Sequence, residues 1–248
     1  MNQSLNLLFI PPPIPSLRGS ILSETGTSVA RPERKDGSQQ EPFVLPQWAL
    51  DVIRPVGRTL SRLLWRIRYT GLENIPASGG LIIAANHQTY IDPFWIGFPI
   101  ARPQRFLAWD EAFDWPIVGK FMVMFGAWPV QVERAGPSAI RRTLQWLRGG
   151  NVIVIFPEGG RALPDGLMSR FKTGAVRIAL EANVPILPVT IRGAHRVWPN
   201  GYRFPRLATV EVIYHPLHQV AMQEGEDARH CARRETDRLA EIISSKLQ

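Results

Sequence analysis

The sequence predicts an α/β fold in which a mixed, partly parallel sheet is flanked by helices and preceded by an N-terminal basic amphipathic helix. Two observations support this prediction. Short runs rich in Ile and Val alternate with segments of helical pattern, which is typical of sheets that are at least partly parallel. The chain has 248 residues, 45% of them hydrophobic, which suits one core and one domain rather than two.

The N-terminal residues 1–45 are predicted to be a disordered tail. They carry a proline cluster and then polar residues with balanced charges, so they have little apolar surface to bury. The first apolar run lacks preceding basic residues and is broken by prolines, so no secretory signal is expected. Cys231 is the only cysteine, which excludes an internal disulfide and suits a cytoplasmic setting.

Residues 46–69 are predicted to contain the basic amphipathic helix, with Pro55 in its first turn. The apolar residues on one side are Val56, Leu60, Leu63, Leu64 and Ile67, and the arginines that cross the opposite side are Arg54, Arg58, Arg62 and Arg66. Such a helix is typical of a membrane-interface anchor. A helix packed on its own domain with its arginines in water has the same pattern.

Residues 70–248 contain the alternating elements. The predicted strands are 81–86, 128–133, 152–156, 186–191 and 209–214, and the predicted helices follow Gly136, Lys172 and Glu224. Functional sites in such sheets collect in the loops beyond the carboxyl ends of the strands. The residues that directly follow the strands are therefore the first candidates.

The stretch "AANHQTYIDPF" places His87 and Asp92 directly after the strand 81–86. On a continuous helix the two side chains would diverge by about 140°, so a turn is needed to fold the carboxylate back onto the imidazole. The carboxylate would then fix the tautomer and leave the other ring nitrogen free to accept a proton. The alternative is structural, because Asp followed by Pro also begins helices, and Asp92 can serve both purposes.

A glycine-rich turn follows the strand 152–156. Its residues are Glu158, Gly159, Gly160 and Arg161. Glycine lets a ligand approach the backbone, and arginine can bind a phosphate through two parallel hydrogen bonds. The alternative is an ordinary turn with a surface ion pair. Arg134, at the end of the strand 128–133, is a third candidate, although a lone arginine there is most often solvated.

The chain is strongly basic, with a formal net charge of +8 and a pI near 10.3. A positive surface favours anionic partners such as phospholipid headgroups, nucleotides or nucleic acid. Of the 29 basic residues 25 are arginine, which suits phosphate contacts but also follows from a GC-rich genome.

Five segments in order resemble the successive sequence blocks of the glycerolipid acyltransferase superfamily, whose best-known members are the lysophosphatidic acid acyltransferases. The segments are "GLENIPASGGLIIAANHQTYIDPF", "GAWPVQVER", "FPEGGR", "RFKTGA" and "VPILPVTI". They cover about residues 70–215. The resemblance implies an acyltransferase domain over residues 70–248 with the fold of the glycerol-3-phosphate acyltransferases.

The resemblance also implies roles for the candidate residues. His87 would be the general base and Asp92 the carboxylate that orients it. The residues implied in substrate binding are Arg134, Glu158, Gly159, Gly160, Arg161 and Lys172. Two positions depart from the family: Thr89 stands where serine is common, and Gly160 where threonine is common. The second departure removes a potential phosphate hydrogen bond.

The implied reaction is direct transfer of a fatty acyl group from acyl-CoA or an acylated carrier protein to the hydroxyl of a lysophospholipid, turning 1-acylglycerol 3-phosphate into phosphatidate. No cofactor or metal is implied beyond the thioester co-substrate. The implied location is the cytoplasmic face of the membrane, as a peripheral or monotopic protein. Its expected partners are the phospholipid surface, the donor and the acceptor, and not nucleic acid.

Three alternatives remain open at the level of sequence. The acceptor can be another molecule of the class, such as glycerol 3-phosphate, a lyso-ornithine lipid or a glycolipid. A hydrolase could use the same His–Asp pair to activate water. A non-enzymatic basic domain could bind acidic lipid or nucleic acid with an affinity that falls steeply with salt.

Overall fold

The computed structural model describes residues 44–109, 113, 118–130, 136–161, 166–199 and 204–247. The predicted tail over residues 1–45 lies almost wholly outside these ranges. The elements are α1 (Gln47–Trp65), β1 (Arg68–Thr70), β2 (Leu81–Ala85), α2 (Asp92–Gly97), β3 (Gln104–Trp109), α3 (Val118–Met124), β4 (Ala127–Val130), α4 (Pro137–Arg148), β5 (Val152–Ile155), α5 (Gly174–Ala182), β6 (Ile186–Arg192), β7 (Glu211–Tyr214) and α6 (Ala228–Ser244).

The seven described strands form one mixed sheet in the order β1-β7-β6-β2-β5-β3-β4. Strands β6 and β7 pair antiparallel, and every other neighbouring pair is parallel. The prediction of a mixed, partly parallel sheet flanked by helices is therefore confirmed. The order places β2 and β5 side by side and parallel. The turn after β2, which contains His87, and the turn after β5, which contains Glu158, therefore leave the sheet at the same end.

The sheet has a hydrophobic layer on each face. The side chains of β2 alternate between the layers, as strand geometry requires. Leu81 and Ile83 pack in the layer that also contains α2 residue Trp95. Ile82 packs in the other layer, which includes residues of α5 and α6, among them Leu239. Because β2 is buried on both faces, it reads as a continuous apolar run rather than an alternating one.

The carboxyl end of β2 is fixed by the side chain of Asn86. Its Oδ1 accepts a hydrogen bond of 2.7 Å from the backbone N–H of Ile191 in β6, and its Nδ2 donates one of 2.9 Å to the Ile191 carbonyl. The buried amide thus continues the β2–β6 ladder by one rung after the β2 backbone turns away. The residue that follows, His87, consequently leaves the sheet at a defined position.

Helix α1 differs from the sequence prediction in three ways. It begins eight residues before Pro55 and ends at Trp65, so Pro55 lies in its interior and Ile67 lies beyond its end. Arg54, predicted to face solvent, is buried and donates hydrogen bonds to the Asp51 carboxylate and the Arg102 carbonyl. Ile67 is buried in the core rather than on the apolar side of the helix.

The apolar side of α1 faces away from the domain. Six of its side chains are each at least 46% exposed: Trp48, Val52, Val56, Leu60, Leu63 and Leu64. The side of the helix that faces the domain is therefore polar or small, and its buried residues include Ala49 and Ser61. Within the described part of the chain, no helix is long and apolar enough to cross a membrane.

We predict that Asn86→Ala lowers the free energy of unfolding by about 2–4 kcal/mol, because it leaves two buried backbone groups of Ile191 without partners. Chemical denaturation measures the change. The matched control is Gln145→Ala on α4, where the side chain is exposed and the expected change is below about 0.5 kcal/mol. Equal effects of the two substitutions would contradict the ladder role of Asn86.

Candidate active site

His87 lies just beyond β2, in a turn that leads into α2. Its Nδ1 is 2.9 Å from Oδ2 of Asp92, so the turn brings together the two side chains that a continuous helix would separate. The His87 side chain is 17% exposed, whereas Asp92 is fully buried. Among the described residues, no protein atom hydrogen-bonds His87 Nε2, which leaves this nitrogen open to a substrate.

The Asp92 carboxylate accepts four hydrogen bonds, all from the turn that precedes it. Besides the imidazole, the donors to Oδ2 are the backbone N–H groups of Gln88 at 2.5 Å and Thr89 at 2.7 Å, and the Thr89 hydroxyl donates to Oδ1 at 2.7 Å. Asp92 is not the N-cap of α2: Ile91 holds that position, without a side-chain cap. The aspartate therefore closes the turn onto the histidine, with the Thr89 hydroxyl as one of its donors.

Glu158 joins the second turn to the first. Its Oε1 accepts the backbone N–H of His87 at 2.8 Å, and its Oε2 accepts that of Ser169 at 2.6 Å. Burial raises the pKa of this carboxyl, and the two backbone hydrogen bonds oppose that rise. Because both oxygens serve backbone donors, Glu158 is placed to hold the His87 turn rather than to meet a phosphate.

The imidazole is also held from one face. The Phe156 ring, directly after β5, stacks on it with centroids 4.1 Å apart and planes 22° apart. With Asp92 on Nδ1 and Phe156 on one face, the ring has a fixed orientation in which Nε2 is the available edge. This is the arrangement that a general base requires.

Arg161 lies against Tyr90, a residue of the His87–Asp92 turn. Its Cζ is 3.8 Å from the centroid of the Tyr90 ring, and its Nη2 donates a hydrogen bond of 2.9 Å to the Tyr90 hydroxyl. Burial lowers the pKa of Arg161, and the charge of Asp92 is among the effects that oppose this. A half-buried guanidinium thus stands within electrostatic reach of the His–Asp pair.

For the other predicted site residues, the structure shows backbone contacts or exposure rather than a side chain at His87. Gly159 adopts φ +71°, a left-handed conformation that favours glycine, and its N–H donates to the Phe156 carbonyl at 3.0 Å. Gly160 is exposed, with open space where a side chain would lie. The backbone N–H of Lys172 donates to the Pro157 carbonyl at 2.8 Å, and its side chain is exposed. Arg134 lies outside the described residues.

Sequence reasoning missed two contacts of the site. Tyr90 and Phe156 were not singled out, although they hold Arg161 and His87 respectively. Their positions inside the two motifs gave a signal, but an aromatic residue next to a strand end is most often part of the core. The contacts of Phe156 with His87 and of Tyr90 with Arg161 join residues that are distant in sequence, so they depend on the tertiary structure.

The sequence model of the Acyltransferase family matches residues 66–192, which is about half of the chain and contains both turns. The chain belongs to the acyltransferase family. The family resemblance drawn from the five sequence blocks is therefore confirmed.

Similar proteins also bear the names of acyltransferases. It is 33% identical over 150 residues to the 1-acyl-sn-glycerol-3-phosphate acyltransferase of Bacillus subtilis, covering 59% of this chain and 71% of that one. It is 29% identical over 181 residues to the chloroplastic 1-acyl-sn-glycerol-3-phosphate acyltransferase LPAT1 of Arabidopsis thaliana, covering 71% of this chain. The chain spans about half the length of that plant relative, 48%.

The fold is also similar to a solved structure. The crystal structure of the 1-acyl-sn-glycerophosphate acyltransferase PlsC from Thermotoga maritima superimposes with a TM-score of 0.64 and 25% sequence identity. The match covers 80% of this chain and 78% of that one. The structural similarity therefore covers more of the chain than the sequence model of the family does.

We predict that Glu158→Gln lowers the free energy of unfolding by about 1–3 kcal/mol, because the amide nitrogen of glutamine cannot accept one of the two backbone N–H groups. Chemical denaturation at neutral pH measures the loss. The control is Glu181→Gln on α5, an exposed glutamate whose replacement is expected to change stability by less than about 0.5 kcal/mol. Indistinguishable results for the two variants would exclude a linking role for Glu158.

Proposed function

We propose that this protein transfers a fatty acyl group from an acyl thioester to the free hydroxyl of 1-acylglycerol 3-phosphate, forming phosphatidate. The main support is the oriented imidazole of His87, whose Nε2 is open while Nδ1 is bound to the buried Asp92. The relatives named above bear this activity in their names. The donor we propose is acyl-CoA or an acylated carrier protein.

In the proposed reaction His87 acts as a general base. Its Nε2 takes the proton of the acceptor hydroxyl as the oxygen attacks the thioester carbonyl carbon. The tetrahedral intermediate then collapses, the C–S bond breaks, and the imidazolium returns the proton to the leaving thiolate. The positive charge that forms on the ring is stabilised by the Asp92 carboxylate, 2.9 Å from Nδ1. Neither step needs an acylated residue on the protein.

The acceptor phosphate is proposed to bind Arg161. A guanidinium offers several N–H donors in one plane, suited to the oxygens of a phosphate, and this one lies beside the His87 turn. Gly160 supplies no hydroxyl and leaves open space next to the arginine. This space favours a second candidate, transfer to an acceptor with a bulkier anionic headgroup, and a panel of acceptors distinguishes the two.

We predict that His87→Ala lowers kcat for acyl transfer from oleoyl-CoA to 1-oleoylglycerol 3-phosphate by about 10²–10⁴-fold, the usual contribution of a general base. Release of free CoA and formation of phosphatidate are measured together. The matched control is His230→Ala on α6, an exposed histidine whose loss should leave kcat within about twofold of wild type.

The alternatives give different outcomes in the same assay. CoA release that does not depend on the acceptor would indicate a hydrolase. Full activity of the His87→Ala variant would contradict the mechanism. The absence of any turnover, together with binding to anionic vesicles that does not respond to His87, would favour a non-enzymatic lipid-binding domain.

We further propose that α1 binds a bilayer surface, so that the protein is peripheral or monotopic on the cytoplasmic face where its thioester donor is expected. The support is the outward apolar side of α1, defined by the six exposed residues given above. A contiguous exposed apolar surface of this kind marks an interaction site. Arg62 and Arg66 are exposed beside it, which suits anionic headgroups next to an acyl boundary.

The apolar side of α1 should be required for binding to vesicles. Leu63→Glu should reduce the fraction of protein that floats with vesicles containing phosphatidylglycerol by at least about fivefold, because a carboxylate would enter the acyl boundary. The control is Leu217→Glu, which makes the same charge change at an exposed leucine outside α1. Flotation of the two variants to the same extent would show that α1 is not the binding surface.

A further inference from the structure

Tyr90 is bound to Arg161 in two ways. The guanidinium lies over the Tyr90 ring, with Cζ 3.8 Å from the centroid, and the Tyr90 hydroxyl accepts a hydrogen bond of 2.9 Å from Nη2. The contact with the ring and the hydrogen bond to the hydroxyl together restrict the position and the rotation of the guanidinium. Both contacts leave N–H groups on the other edge of the fork for a ligand.

Tyr90 is itself held in place. Its ring meets Trp198 edge-on, with centroids 5.8 Å apart and planes 78° apart, and it belongs to the five-residue turn that Asp92 closes. Burial raises the pKa of the Tyr90 phenol, so the hydroxyl stays neutral at physiological pH. The orientation of the arginine is therefore set by the same turn that sets the imidazole.

Two hydrogen bonds between described residues join the two turns. His87 N–H donates to Glu158, and Arg161 donates to Tyr90. The first contact fixes the base, and the second fixes the cation relative to it. The second contact therefore sets how tightly Arg161 can hold the phosphate of an acceptor whose hydroxyl lies at His87.

We infer that Tyr90 is a positioning residue that orients Arg161 for the phosphomonoester of the acceptor, and that it thereby determines the preference for a phosphorylated over an uncharged acceptor. The inference rests on the proposed function, because it concerns the acceptor of that reaction. Tyr90 takes no part in proton transfer. Its loss should weaken binding of the phosphorylated ligand and leave the chemical step nearly unchanged.

Two water-soluble ligands separate these effects: 1-hexanoylglycerol 3-phosphate and its uncharged counterpart 1-hexanoylglycerol. Isothermal titration calorimetry on the full chain, without acyl donor, gives the Kd of each. Tyr90→Phe keeps the stacking and loses the hydrogen bond, so Kd for the phosphorylated ligand should rise about fivefold. Tyr90→Leu loses both contacts and should raise it about fiftyfold. Binding of the uncharged ligand should change by less than about twofold for both variants.

Tyr69→Phe and Tyr69→Leu are the matched controls. Tyr69 also lies beneath an arginine, Arg58, at 5.2 Å, but it belongs to β1 at the far edge of the sheet. These variants should bind both ligands as the wild type does. A double-mutant cycle adds a second test: in an Arg161→Ala background, Tyr90→Leu should change Kd by less than about twofold, since its effect passes through the arginine.

The results also distinguish this inference from the proposed function. Wild-type protein that binds the phosphorylated ligand but forms no phosphatidate would contradict the proposed reaction and leave the Kd comparison decisive. The role of Tyr90 is overturned if wild-type protein does not bind that ligand. It is also overturned if Tyr90→Leu binds the ligand as wild type does, or if it weakens both ligands alike, as a merely structural residue would. For an active enzyme, KM for the phosphorylated acceptor should rise with Kd while kcat stays within about twofold.

Discussion

The buried carboxylate of Asp92 is the contact on which the site depends. A carboxylate taken fully out of water is costly unless donors surround it, and here four hydrogen bonds from one short turn do so. Three of the donors are the backbone N–H groups of Gln88 and Thr89 and the Thr89 hydroxyl. The fourth is the imidazole of His87, so the same interaction that stabilises the buried charge also orients the base.

The fold supplies the partners of this turn through the order of its strands. Because β2 and β5 are parallel neighbours, the segments that leave their carboxyl ends lie beside each other. Asn86 extends the β2 ladder to β6 and fixes where the first turn begins. Phe156 and Glu158 then reach the first turn from β5. The described contacts around His87 thus come from two loops whose starting points are fixed by the sheet.

Much of this arrangement could be predicted from the sequence. Strands β2 and β5 are recognisable because burial on both faces leaves no polar positions in them. The His87–Asp92 contact follows from the spacing and the strand end, although the sequence alone left a helix cap open. Strands β1 and β3 were not predicted, since β1 has three residues and β3 begins with Gln104 and Arg105.

The errors have a common physical cause. The sequence pattern of α1 correctly separates apolar from basic residues, but it does not say which side meets the domain. Arg54 is buried because Asp51 and the Arg102 carbonyl accept its hydrogen bonds, and only the tertiary structure brings that carbonyl close. The pairing of Tyr90 with Arg161 likewise joins residues 71 positions apart. Local pattern predicts elements and turns, whereas contacts between turns depend on the sheet.

The central claim is that Asp92 holds the His87 ring with a proton on Nδ1 and leaves Nε2 as the base. Nitrogen-15 NMR of the imidazole side chains, assigned by comparison with the His87→Ala spectrum, tests it directly. The account predicts that neutral His87 carries its proton on Nδ1 and that Nε2 shows the chemical shift of an unprotonated ring nitrogen. A neutral ring with its proton on Nε2 would contradict the account, because that nitrogen could not then accept a proton from the acceptor hydroxyl.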